Sequence, residues 1–159
     1  MYLSPDDQYH LNAAAGYLDL GMFKDSQAEL EKVAPDALGR PESLAVRLAL
    51  YQETKSWAAM QVVAKKLVEL DPTAPHWAIA WAYATRRAES IEQAKVILTD
   101  ALDRHRTEPL IHYNLACYDC QMGKIPSAKQ FIATALRLAP GMRPMALSDE
   151  DLKPLWASL

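Results

Sequence analysis

Two cysteines three residues apart, Cys117 and Cys120, are the first candidates for chemistry in this sequence. A C-x-x-C pair acts as a redox site when a helix N-terminus lowers the pKa of its first thiol. Here the pair falls in the middle of a predicted helix, and no second pair completes a set of four zinc ligands. We therefore expect Cys117 to be a small apolar residue of the helix, with no metal and no cofactor bound.

The other polar residues form no recognisable catalytic motif. Four histidines and five glycines occur, and none lies in an H-E-x-x-H, Walker or G-x-S-x-G pattern. The acidic run Asp149-Glu150-Asp151 follows Ser148, where negative charge stabilises the free amides of a helix start. We interpret this run as capping and predict that the chain is not an enzyme. A metal- or thiol-dependent enzyme is the remote alternative.

Adjacent arginines, Arg86 and Arg87, are the strongest signal for binding. A guanidinium can hold a carboxylate through two parallel hydrogen bonds, and aromatic side chains often supply the walls of such sites. Tyr83 and Tyr113 are the aromatic candidates. We expect a negatively charged group of a partner near the two arginines, and the alternative is a solvated helix face with surface ion pairs.

Composition excludes several classes of partner. The net charge of the 159 residues is −3, so no positive field attracts a nucleic acid. The sequence has no apolar run of about 18 residues that would predict a membrane-spanning helix, and its start lacks the features of a signal peptide. With only two cysteines, the chain is expected in a reducing compartment, and we predict a cytoplasmic protein without nucleic-acid or membrane partners.

A repeat with a period of about 34 residues runs through the sequence, and a fixed period of this length is the signature of a repeat architecture. Equivalent turn positions are each followed two residues later by an aromatic or aliphatic residue: Gly21 with Phe23, Lys55 with Trp57, Glu89 with Ile91, and Gly123 with Ile125. In such architectures each unit packs on the next one along the chain.

Within each period, apolar residues recur at intervals of three and four, which is helical spacing. Pro72 and Pro140 follow the ends of two periods, and proline cannot continue a helix interior. The pattern predicts an all-α protein with helices at 7–20, 24–34, 41–54, 57–70, 75–88, 91–105, 109–122 and 125–138.

Helical hairpins with this period and with small side chains at the helix contacts resemble tetratricopeptide repeats (TPRs). Small residues fall at the expected contacts at Ala14, Ala82, Ala116, Ser26, Ala94 and Ala128. The closing segment is similar to that of short bacterial four-repeat TPR proteins of the end-of-group type. The resemblance implies a right-handed α-solenoid of four TPR hairpins in one domain, 1–159, with repeats at about 7–40, 41–74, 75–108 and 109–140 and a C-terminal cap at 141–159.

The resemblance also implies a concave groove lined by the first helix of each hairpin. Transferred to this sequence, the groove positions are Asn12, Gln52, Glu53, His76, Tyr83, Arg86, Arg87, Tyr113, Asn114 and Gln121. We predict a scaffold or adaptor that holds a segment of an unidentified protein or peptide there. The alternative is a self-associating structural protein, a homo-oligomer that uses its convex face or its terminal cap, with Trp77, Leu155 and Trp156 as the candidate contacts.

Overall fold

The computed structural model describes residues 3–159, and this part of the chain is helical without strands. Eight long helices form four successive antiparallel pairs, followed by a short helix and two 3-10 helices. The α-helices are α1 Pro5–Asp19, α2 Phe23–Leu30, α3 Pro41–Glu53, α4 Trp57–Leu70, α5 Pro75–Ala88, α6 Ile91–Arg104, α7 Pro109–Gln121, α8 Ile125–Leu138 and α9 Arg143–Ala146, and the 3-10 helices are Pro140–Met142 and Glu150–Ser158. The predicted all-α class and the four hairpins are confirmed.

The chain divides into two compact units, between the second and third hairpins. The first unit ends at Pro72 and contains α1 to α4, whose buried residues include Leu11, Leu30 and Leu50. The second unit runs from Thr73 to Leu159 and contains α5 to α9 and both 3-10 helices. The single domain 1–159 and the repeat boundaries stay predictions.

Proline begins the first helix of every hairpin. Its fixed φ suits the first helical turn, and its missing N–H is not needed there. The four prolines are Pro5, Pro41, Pro75 and Pro109, and the last three are one repeat period apart. The start of each hairpin is therefore set locally by the sequence.

Two of the turns inside the hairpins require glycine. Gly21 and Gly123 have φ values of 72° and 73°, a left-handed conformation that glycine adopts without a steric penalty. Lys55 occupies the equivalent turn of the second hairpin with φ 56°, and it is the one non-glycine residue with positive φ in the described chain. The recurring turn position in the sequence is thus a recurring backbone conformation in three of the four hairpins.

Small side chains bring paired helices close together, as the repeat pattern predicts. All six predicted contact positions are fully buried: Ala14, Ser26, Ala82, Ala94, Ala116 and Ala128. In the first hairpin the Ser26 hydroxyl also donates a 2.8 Å hydrogen bond to the carbonyl oxygen of Ala14. The buried hydroxyl therefore has a hydrogen-bond partner, and its small side chain still allows the two helices to pack closely.

Helix α2 is shorter than the predicted 24–34, because it ends at Leu30. Pro35 disfavours the helical conformation of the residue before it. The backbone N–H of Ala34 instead donates to Oδ1 of Asp7 on α1, at 2.8 Å. This hydrogen bond lowers the pKa of the Asp7 carboxyl. In place of the last predicted turn of α2, the chain is therefore held by a hydrogen bond to α1, the other helix of the same hairpin.

The C-terminal segment, residues 141–159, covers the end of the second unit. Its 3-10 helix packs against α7 and α8. Leu152 and Leu155 are fully buried, and Nε1 of Trp156 donates to the carbonyl oxygen of Ala146 at 3.1 Å. The predicted cap is confirmed, since terminal repeats need their apolar face covered.

None of the helices in residues 3–159 has the length and apolar character that crossing a bilayer requires.

Candidate binding site

Helix α7 presents three of its side chains along one stripe. Tyr113, Cys117 and Gln121 are spaced four residues apart, so they lie above one another on the same helix face. Helix α5 is in contact with α7, and the 3-10 helix of the C-terminal segment packs on α7. The stripe therefore lies beside the C-terminal segment.

Arg86 on α5 binds a carboxylate of the C-terminal segment. Its Nη1 lies 2.5 Å from Oδ2 of Asp151, and its Nη2 donates to Oδ1 at 3.1 Å. The hydrogen bonding with Asp151 raises the pKa of Arg86. The two side chains remain 23% and 28% exposed, so solvent reaches this ion pair. The two-pronged pairing expected of this arginine is present, and its partner is a residue of the same chain.

Asp149 is held by the stripe on α7. The Tyr113 hydroxyl donates to Oδ2 of Asp149 at 2.8 Å, and Sγ of Cys117 donates to the same oxygen at 3.8 Å. Nε2 of Gln121 donates to the carbonyl oxygen of Asp151 at 3.2 Å. Desolvation, with the hydrogen bond to Asp149 second, raises the pKa of Tyr113.

We call the four side chains that surround these two aspartates the acid-binding site: Arg86, Tyr113, Cys117 and Gln121. Three of them come from the predicted groove positions, and each donates a hydrogen bond to the C-terminal segment. Donors from two helices thus converge on negatively charged or carbonyl oxygens. In the folded chain, Arg86 and Tyr113 thus bind the carboxylates of Asp151 and Asp149.

Asp149 also has the capping role that the sequence predicts. Its Oδ1 accepts a 3.0 Å hydrogen bond from the backbone N–H of Asp151, at the start of the 3-10 helix. The interpretation of the acidic run as capping alone is incomplete, because Asp151 pairs with Arg86 and does not cap. Glu150 is exposed and faces Lys153 at 3.7 Å.

Tyr83 and Arg87 form an exposed pair one turn apart on α5. The Arg87 guanidinium lies 3.4 Å from the centroid of the Tyr83 ring, and its Nη1 donates to the Tyr83 carbonyl oxygen at 3.0 Å. His76, at the start of the same helix, is exposed with its ring 4.0 Å from that of Trp77. Asn114, on α7, is half-buried.

The remaining predicted groove residues lie in the first unit. Asn12 is exposed on α1, and its Oδ1 accepts a 2.9 Å hydrogen bond from Nε2 of Gln8. Gln52 and Glu53 are exposed at the end of α3. Their part in a common groove stays a prediction.

Of the three residues expected to mediate self-association, Leu155 is fully buried, so its expected exposure was wrong: it packs inside its own unit. Trp156 is half-buried, with its indole N–H bonded inside the segment, and Trp77 is half-buried at the start of α5. Both tryptophans keep part of their surface exposed, and their part in self-association stays a prediction.

Cys117, Asp149 and Asp151 place one ligand atom each within 4.8 Å of one another. The set is a poor metal site, because the Arg86 guanidinium already binds Asp151. Burial, with the charge of Asp149 second, raises the pKa of the Cys117 thiol, which donates to Asp149. In the described chain the Cys117 thiol donates a hydrogen bond to Asp149, and the two carboxylates accept hydrogen bonds from α5 and α7.

Both cysteines should resist alkylation in the folded protein. Cys117 and Cys120 are buried, and desolvation raises the pKa of each thiol. Because the thiolate is the reactive form, we expect labelling by iodoacetamide at pH 8 to be at least about tenfold slower than in denaturant. Intact-mass spectrometry measures both rates. Rapid labelling of the native chain would contradict the buried, protonated state of the pair.

A buried carboxylate between the two cysteines escaped the sequence analysis. Asp119 is fully buried; its Oδ1 accepts from Nζ of Lys95 on α6 at 2.5 Å, and its Oδ2 accepts from the Ser127 hydroxyl on α8. Asp119 therefore joins three helices of the second unit. Its position in the motif gave no signal, since Lys95 is 24 residues away in the sequence.

Solved structures provide the comparison with known proteins. The crystal structure of MamA matches with a TM-score of 0.74 and 16% identity, over 99% of this chain and 86% of that chain. MamA 41-end from Desulfovibrio magneticus RS-1 matches with a TM-score of 0.53 and 14% identity, over 88% and 98%. No model of a protein family and no curated protein matches the sequence.

A further match carries the repeat type in its description. TTC0263, a thermophilic TPR protein in Thermus thermophilus, has a TM-score of 0.68 and 18% identity, over 96% of this chain and 82% of that chain. Identities of this size show the fold alone. This chain has the tetratricopeptide-repeat fold, as these structural matches show together with the four hairpins, the small buried contact residues and the recurring turns.

Proposed function

We propose that this chain is a non-catalytic interaction module that binds a segment of a partner protein on the α5–α7 face of its second unit. The observation that carries the proposal is the acid-binding site, where donors from two helices converge on carboxylates. TPR arrays serve many roles, so the proposal rests on this site and not on the fold.

The exposed pair of Tyr83 and Arg87 extends the site on α5. A guanidinium stacked on a tyrosine is held in one orientation, which lowers the entropy lost when it binds a carboxylate or a carbonyl. Tyrosine and arginine are also the residues that most often dominate binding energy at interfaces. His76 on α5 and Asn114 on α7 are further predicted contacts of the partner segment.

Charge reversal of Arg87 should weaken partner capture. Arg86 is unsuitable for this test, because its substitution also removes a contact of the C-terminal segment. We expect Arg87→Glu to lower capture of the partner from lysate by roughly tenfold or more, since a hydrogen-bonded charge at an interface is worth at least about 1.4 kcal/mol. Quantitative mass spectrometry of the captured proteins measures the loss.

Arg104→Glu is the matched control, with the same charge change at an exposed position on α6. It should leave capture unchanged, and both variants should keep the wild-type circular dichroism. Equal capture by wild type and Arg87→Glu would rule out the α5–α7 face as the binding surface.

Self-association is the second candidate function. Large apolar side chains are exposed in the first unit, among them Leu20 at 73% and Val62 at 70%. Single exposed apolar residues are common on monomers, so these favour the alternative only weakly. Light scattering at several concentrations separates the two functions, because the interaction module is expected to stay monomeric without its partner.

A further inference from the structure

We propose that the C-terminal segment is an internal competitor: Asp149 and Asp151 fill the acid-binding site until an acidic segment of the partner replaces them. The inference rests on the proposed function, because it names the chemistry of the partner that the α5–α7 face binds. The partner segment it requires carries two carboxylates separated by one residue.

The chain itself shows what the site accepts. Asp151 accepts hydrogen bonds from the two terminal nitrogens of Arg86, Nη1 and Nη2, and Asp149 accepts one from the Tyr113 hydroxyl. Glu150, between them, points to solvent and contacts neither α5 nor α7 through a hydrogen bond of the described chain. The site therefore binds the side chains of two acidic residues that are separated by one residue.

The segment is anchored independently of its carboxylates. Leu152 and Leu155 are fully buried, and the Trp156 indole N–H is bonded to Ala146. Leu152, Leu155 and Trp156 follow Asp151 in the sequence, and Ala146 precedes Asp149, so the anchoring residues lie on both sides of the two aspartates. The two carboxylates can therefore leave the site while the apolar half of the segment stays packed as a cap.

When an acidic partner segment displaces the two aspartates, its carboxylate pairs with Arg86 in place of Asp151. The Arg86 charge is therefore not left without a partner. Arg86 and Asp151 are both about a quarter exposed, which lets an incoming carboxylate reach the guanidinium from solvent. Asp149 would lose its bond to Tyr113 and keep its capping bond within the segment. The internal aspartates act at a high effective concentration, because they are tethered to the site.

The test uses a fluorescein-labelled peptide with the sequence of residues 147–153 as the probe, and fluorescence anisotropy as the measurement. The full-length Asp149→Asn/Asp151→Asn variant lacks the competing charges and should bind the peptide at least tenfold more tightly than wild type. Adding Arg86→Gln to that variant should lower the affinity at least tenfold. Binding should also weaken as salt increases, since the site is partly exposed.

Two controls distinguish recognition of the carboxylates from other causes of a change in affinity. A peptide with both aspartates replaced by asparagine should not bind, because it lacks the charges that Arg86 recognises. If circular dichroism shows that the double variant has lost structure, the single variant Asp151→Asn replaces it in the test, because it keeps the Asp149 cap. Its affinity for the peptide should lie between those of wild type and the double variant. If wild type, Asp151→Asn and Asp149→Asn/Asp151→Asn bound the peptide with equal affinity, the inference would be overturned.

Two other outcomes would also overturn it. Peptide binding that survives Arg86→Gln would place the peptide elsewhere on the chain. Dimer formation by wild type that Asp151→Asn abolishes would make a second copy the source of the carboxylates. The Arg87→Glu capture experiment is separate: if it succeeds while the peptide fails to bind, the proposed function stands and the acidic partner segment is wrong.

Discussion

Leu152→Ala should lower the free energy of unfolding by about 2–5 kcal/mol, the range for removing a buried leucine side chain. Leu152 is fully buried where the C-terminal 3-10 helix packs on α7 and α8. Its truncation leaves a cavity between the C-terminal 3-10 helix and the last hairpin, whose apolar face this helix covers. Urea denaturation followed by circular dichroism measures the change.

Leu147→Ala is the control for Leu152→Ala in the same segment. Leu147 is 45% exposed, so its truncation should change the free energy of unfolding by at most about 0.5 kcal/mol. If the two variants were equally stable, the C-terminal segment would contribute nothing as a cap, and its buried leucines would have no energetic role.

Asp119→Ala should be destabilising by about 3 kcal/mol, between the cost of an unsatisfied buried polar group and that of a broken buried ion pair. The Asp119 side chain is fully buried, and its removal leaves Nζ of Lys95 and the Ser127 hydroxyl without their acceptor. The Lys95 side chain is 23% exposed, so water can satisfy part of its ammonium group and limits the loss. Urea denaturation of both proteins gives the difference.

Asp103→Ala is the matched control, because Asp103 is an exposed aspartate on α6. Its removal should change the free energy of unfolding by at most about 0.5 kcal/mol. A wild-type stability for Asp119→Ala would show that the links from α7 to α6 and α8 through this carboxylate are not formed in solution.

The hairpins were predictable because their determinants are local. The turn position recurs once in every repeat, small residues mark the helix contacts, and Pro41, Pro75 and Pro109 begin helices at the same interval. The end of α2 was not predictable in this way. Pro35 accounts locally for the non-helical conformation of Ala34, but α2 already ends at Leu30. The Ala34 N–H is bound by Asp7, 27 residues away, and no helical periodicity encodes this contact.

Three of the four residues of the acid-binding site were among the predicted groove positions, and the carboxylates that they bind were not predicted. The resemblance to tetratricopeptide repeats selects Arg86, Tyr113 and Gln121 as groove positions, and the chemistry of a guanidinium suggests a carboxylate for Arg86. Asp151 lies 65 residues beyond Arg86, and its pairing depends on how the C-terminal segment folds back on α7. The acidic run was therefore interpreted from its neighbours alone, as a cap.

A partner segment that lies on the α5–α7 face should be captured there by site-specific photocrosslinking. A benzophenone amino acid replaces Tyr83, which is exposed on α5, and in a second variant replaces Thr99, which is exposed on α6. We expect irradiation in lysate to join a partner protein to position 83 and not to position 99. Crosslinking at position 99 alone, or at neither position, would contradict this expectation.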